Sequence, residues 1–106
     1  MNKLVITFFA LMATVAGVAL AADATAGAAS YTKSCKGCHG EGGATPNAAV
    51  SKMLGAEIPV LAGTTKTDAE IKTAITAGKG KMPAVKAVTG TQVDDVIAYI
   101  RSLKKP

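Results

Sequence analysis

The chain has 106 residues, 49% hydrophobic and 18% charged, with a formal net charge of +5. That length allows one small domain. Moderate basicity without dense basic clusters interleaved with aromatics excludes a nucleic-acid binder.

The N-terminus carries a targeting pattern. Lys3 supplies a positive start, Leu4 to Val18 is almost entirely apolar, and Ala19-Leu20-Ala21 has the small-x-small form of a secretory cleavage site. The pattern predicts a signal peptide over residues 1–21 and a mature domain over 22–106. The apolar stretch to Ala22 is also long enough for an uncleaved membrane tether, and its Ala- and Gly-rich end favours cleavage over that alternative. No Cys directly follows the run, so a lipid anchor has no residue to modify. Without the leader, the domain has a modest apolar core by its own means and needs a staple.

A first helix is expected from Asp23 or Ala24 to Ser34, with Ala24, Gly27, Ala28 and Tyr31 on one side. It runs into Cys35-Lys36-Gly37-Cys38-His39, the Cys-x-x-Cys-His pattern of c-type haem attachment. Two thiols three positions apart can each bond to a vinyl group of one porphyrin, and the next imidazole then reaches the iron. A redox dithiol or half of a zinc site are the competing readings. A dithiol needs a strand-helix-strand context, and a zinc site needs ligands that a chain without a third Cys or second His must find among carboxylates or on another subunit. Export would also permit a Cys35–Cys38 disulfide, but so short a loop constrains the unfolded chain little. A buried porphyrin is a better staple. Because haem attachment of this type occurs outside the bacterial cytoplasmic membrane, the expected compartment is the periplasm.

Gly40, Gly42, Gly43 and Pro46 break regular structure, and a loop with one short helical turn around Asn47 to Leu54 leads to Ile58-Pro59. The second helix is expected over Asp68 to Ala77. Thr67 and Glu70 form its capping box, Ile71, Ala74 and Ile75 its apolar face, and Gly78 its stop. A third helix is expected to open on Thr91 and Asp94 in the same capping relation. It carries the stripe Val93, Val96, Ile97, Ile100 and Leu103, and it ends near Lys104 and Lys105. No strand pattern or internal repeat competes.

His39 is the chain's single His, so a bis-His haem within one subunit is impossible. The sixth ligand is left to Met, Lys, a terminus, water or nothing. Met53 follows closely and reads as packing. Met82, in a Gly- and Pro-bounded loop, is far enough along the chain to pass around the porphyrin edge, and it is the favoured ligand. Lys33, Lys36, Lys79, Lys81 and Lys86 flank these segments. They form either a docking rim for a redox protein with an acidic surface or an ordinary solvated face. No Ser-His-Asp set, paired carboxylates or phosphate loop points to an enzyme.

The order of these parts resembles the class I c-type cytochromes over nearly all of residues 23–104. Gly27 and Tyr31 before the attachment sequence, Pro59-Val60-Leu61-Ala62-Gly63, Gly78-Lys79-Gly80-Lys81-Met82-Pro83 and Ile97-Ala98-Tyr99-Ile100 carry the resemblance. The absence of Trp and Val60 at a position often polar are departures. The resemblance implies an all-α fold, with three main helices plus loops wrapped around one covalently attached haem c. It implies Cys35 and Cys38 as attachment points, His39 and Met82 as axial ligands of the iron, and Pro59, Leu61 and Ile100 as further cofactor-binding residues. The Pro59 carbonyl would orient the His39 ring, and the first and last helices would cross near Gly27 and Tyr99. The implied function is a soluble, monomeric, periplasmic one-electron carrier serving redox partners, with no membrane association after cleavage. The alternative is a five-coordinate or loosely capped haem in a sensor or peroxidase-like domain.

Overall fold

The computed structural model describes residues 22–105, and the expected signal peptide over 1–21 lies outside them. Among the described residues five α-helices follow in order: α1 (Ala24–Ser34), α2 (Lys36–His39), α3 (Ala48–Leu54), α4 (Asp68–Ala77) and α5 (Thr91–Ser102). A 3-10 turn, Glu41–Gly43, separates α2 from α3. The described residues contain no strand beyond an isolated bridge between Lys79 and Met82. The fold is all-α with three main helices, as expected; α3 falls where one short helical turn is expected around Asn47 to Leu54, and α2 is formed by the attachment sequence itself. No described helix is long and apolar enough to cross a membrane.

Small residues set the central contact. Asp23 caps α1 by accepting hydrogen bonds from the Thr25 and Ala26 amides at 2.9 and 3.2 Å. At Gly27 the α1 backbone presses on α5: a Cβ there would fall on the Asp95 carbonyl and lie 3.0 Å from the Val96 nitrogen. One turn further along both helices, the Tyr31 and Tyr99 rings meet at 5.1 Å between centroids, tilted by 52°. The crossing is therefore centred on Gly27 against Asp95 and Val96, and Tyr99 meets Tyr31 rather than Gly27.

Val93, Val96, Ile97 and Ile100 are buried on one face of α5. They join Tyr31, Cys35, Ile71, Ile75 and Val88 in the core. Each buried aliphatic side chain contributes about 1.5–3 kcal/mol relative to exposure, so this stripe is the main apolar anchor of the helix.

The α4 capping box forms as expected: the Glu70 amide donates to the Thr67 hydroxyl and the Thr67 amide to the Glu70 carboxylate, both at 3.1 Å. Replacing Thr67 by Ala removes one half and is expected to destabilise the domain by about 1 kcal/mol, a fall in Tm of roughly 4–8 °C. A thermal melt checks it, and an unchanged Tm would mean that α4 keeps its stability without the cap. Arg101 in the last turn of α5 ties the two helices together, reaching the Asp68 carboxylate through Nε at 2.9 Å and Nη2 at 2.7 Å.

The start and end of α5 differ from expectation. Its N-cap is Gly90, which has no side chain to offer, with φ 58°, and Thr91 already lies inside the helix. The Gln92 side chain instead reaches back to accept from the Thr89 amide at 3.1 Å. Thr91 and Asp94 consequently form no capping box. The helix ends at Ser102, so Lys104 and Lys105 lie beyond it.

Candidate functional site

The site is built where α1 hands over to α2. Cys35 closes α1, its amide donating to the Tyr31 carbonyl at 2.8 Å, and its own carbonyl accepts from the His39 amide at 2.9 Å. The four residues between these bonds form one helical turn, which puts Cys35 and His39 on the same side of it. Both are buried, whereas Cys38 is exposed, and the two thiols are not joined. Gly40, with φ 84°, ends the turn, and its carbonyl accepts from the Tyr31 hydroxyl at 2.8 Å. That bond anchors the exit of the turn to the helix that precedes it.

His39 is fixed from the other side. Its Nδ1 lies 3.1 Å from the Pro59 carbonyl oxygen, the partner that the resemblance implies. A carbonyl only accepts, so Nδ1 carries the proton in this bond and Nε2 keeps its lone pair. Burial lowers the His39 pKa, opposed by the Pro59 hydrogen bond, and the shift favours the neutral ring that can act as a ligand.

The segment carrying Pro59 is itself held. The Gly43 carbonyl accepts from both the Leu61 and Ala62 amides, at 2.9 and 3.1 Å. Gly43 was not singled out by the sequence beyond its part in breaking the loop. Its φ of 62°, and the Leu61 Cβ 3.1 Å from where a side chain would begin, explain why glycine is required.

Burial pushes the Cys35 thiol up to about 11, with Cys38 adding to the rise. A dithiol oxidoreductase needs a thiolate, so this burial disfavours that reading. Among the described residues no group of three or more His, Cys, Asp and Glu is placed to hold a metal ion. A thiol pair beside an imidazole with one nitrogen committed and one available is a set of groups whose chemistry is compatible with covalent attachment and ligation of a haem.

Met82 is carried by a separate element. Lys79 and Met82 exchange backbone hydrogen bonds, both at 2.9 Å, around a tight turn through Gly80 with φ 57°. The Val85 amide then donates to the Ile75 carbonyl at 2.7 Å, pinning the end of this loop to α4. Met82 is half-buried. Leu61 and Val85 pack against the core cluster that contains Cys35 and Ile100. Cys35 of the attachment turn, Leu61 after Pro59 and Val85 after Met82 thus meet in one apolar region. Met53 does not pack as expected: it is 78% exposed on α3. The seven residues of α3 bury no side chain, which leaves Met53 without a core to enter.

The family model described as "Cytochrome C oxidase, cbb3-type, subunit III" matches residues 22–100. No curated protein matches the chain at a significant level.

Proposed function

Since the chain belongs to the family described as cytochrome c oxidase, cbb3-type, subunit III, a c-type cytochrome domain with covalently attached haem c, we propose that it is a one-electron carrier whose iron is held by His39 and Met82. The observation that carries this reading is the His39 to Pro59 contact of 3.1 Å, which leaves Nε2 as the ligating nitrogen. When bound, the haem supplies one-electron exchange between ferric and ferrous iron.

The chain's own residues do the rest. Cys35 and Cys38 would hold the haem through thioether bonds. The Pro59 carbonyl sets the plane of the His39 ring and makes the imidazole a better donor. The Met82 thioether favours the ferrous state. Leu61 and Ile100 keep water from the buried face and lower the local dielectric. If His39 and Met82 both held the iron, it would have no open position for oxygen or peroxide, which supports a carrier over a catalyst. The leader over residues 1–21 supports export, so the proposed setting is the periplasm, with redox proteins as partners. The exposed Lys79 and Lys81 beside Met82 suit a partner with an acidic surface.

Haem staining after denaturation and the spectrum of the Met82→Ala variant test the reading. Covalent haem is expected to survive denaturation. Met82→Ala is expected to lose the methionine–iron absorption band, bind carbon monoxide stoichiometrically in the ferrous state and show a lowered reduction potential. Met53→Ala is expected to leave all three unchanged. Carbon monoxide binding to the unmodified protein as fast as to Met82→Ala would remove Met82 from the iron and put a ligand-binding sensor or peroxidase in place of the carrier.

A further inference from the structure

The four-residue helix α2 stops too early to satisfy its own carbonyls. Gly40 turns the chain away after His39, so the Gly37 and Cys38 oxygens lack the donors that a continuing helix would provide. Asn47 supplies both. Its backbone amide donates to the Cys38 carbonyl at 2.9 Å, and its side-chain Nδ2 donates to the Gly37 carbonyl at 3.3 Å. The same side chain also caps α3, with Oδ1 accepting from the Ala49 and Val50 amides at 3.0 and 3.3 Å.

A carboxamide both donates and accepts at one short side chain, and this geometry uses both ends. Asp or Ser at the position keeps an acceptor for the α3 cap. Asp has no donor for Gly37, and the shorter Ser side chain does not span to it. We infer that Asn47 is a positioning residue for the Cys38 thiol and the His39 ring, its side chain acting through the Gly37 carbonyl while its backbone amide holds the Cys38 carbonyl. It closes the exposed side of the turn as the Tyr31 hydroxyl closes its exit at Gly40. The inference rests on the haem-ligating role proposed for this turn and deepens it, since the orientation of the ligand ring depends on a residue outside the attachment sequence.

The test compares Asn47→Ser and Asn47→Asp with the haem-loaded unmodified protein, and uses Ala49→Gly as a control that weakens α3 without touching Gly37. In both Asn47 variants the expected results are a shifted reduction potential, displaced paramagnetic NMR resonances of the His39 ring, and amide exchange at His39 and Gly40 faster by about fivefold, the size of one lost hydrogen bond. Ala49→Gly is expected to leave all three as in the unmodified protein. Unchanged potential and His39 resonances in Asn47→Ser would reduce Asn47 to a helix cap and overturn the inference. Equal displacement in Ala49→Gly would do the same. If the unmodified protein showed no His-ligated haem, the reading of the site would fail by itself, and the exchange rates at His39 and Gly40 would still decide whether Asn47 braces the turn.

Discussion

Changing Cys35 and Cys38 together to Ala is expected to leave an exported chain that is largely unfolded or rapidly degraded. The core of the described residues is small. One Tyr, a few Ile and Val residues and Cys35 itself make up its main cluster, with half-buried Leu61, Val85 and Tyr99 around it. A domain of this size has a net stability of only about 5 kcal/mol even when well packed, and large opposing terms make that margin easy to lose. Without the thiols there is no covalent bond to hold the haem, and the apolar surface it would share with Leu61 and Ile100 is lost. The same change removes the buried Cys35 side chain from the core. Circular dichroism and the yield of exported protein check the expectation. A cooperative melt with native helix content in the double variant would show that the helices hold together without the haem.

Replacing Gly27 by Val is expected to be nearly as damaging, for a reason that needs no cofactor. A Cβ at this position falls on the Asp95 carbonyl of α5, and that is backbone which cannot rotate away. The two helices must therefore move apart, and the separation also loosens the Tyr31 and Tyr99 rings one turn further on. Overpacking of this kind costs typically 1–3 kcal/mol and more where backbone is hit, so a loss of about 3 kcal/mol or above and a fall in Tm of roughly 10–25 °C are expected. Thermal melts of the Gly27→Ala and Gly27→Val variants measure it, with Ala already destabilising because its Cβ makes the same overlap. A Gly27→Val protein that melts with the unmodified one would mean that the α1–α5 crossing can shift at little cost.

Much of the architecture was legible from residue order. The span of α4, its capping box and the apolar stripe of α5 are nearest-neighbour features, written in residues three and four apart. The misread start of α5 shows the limit of that logic. Thr91 and Asp94 have the right spacing for a cap, but Gly90 with positive φ places the helix start ahead of Thr91 and makes Thr89 and Gln92 the bonding pair. Met53 shows another limit, because hydrophobic character does not bury a residue on a helix that has nothing to pack against.

The chemistry of the site divides in the same way. The sequence by itself determined that a thiol pair adjoins an imidazole, because within one turn sequence distance sets spatial distance. Only the tertiary structure decided which groups hold them. The Pro59 carbonyl that accepts from His39 Nδ1 comes from 20 residues away and is implied by the family resemblance, not by local spacing; the Gly43 carbonyl that braces the Pro59 segment serves two amides at once, and Asn47 reaches back to Gly37 across a loop broken by glycines. Such partners are chosen by how distant segments pack, and packing depends on the whole set of close approaches, beginning with Gly27 against Asp95, that no local spacing encodes.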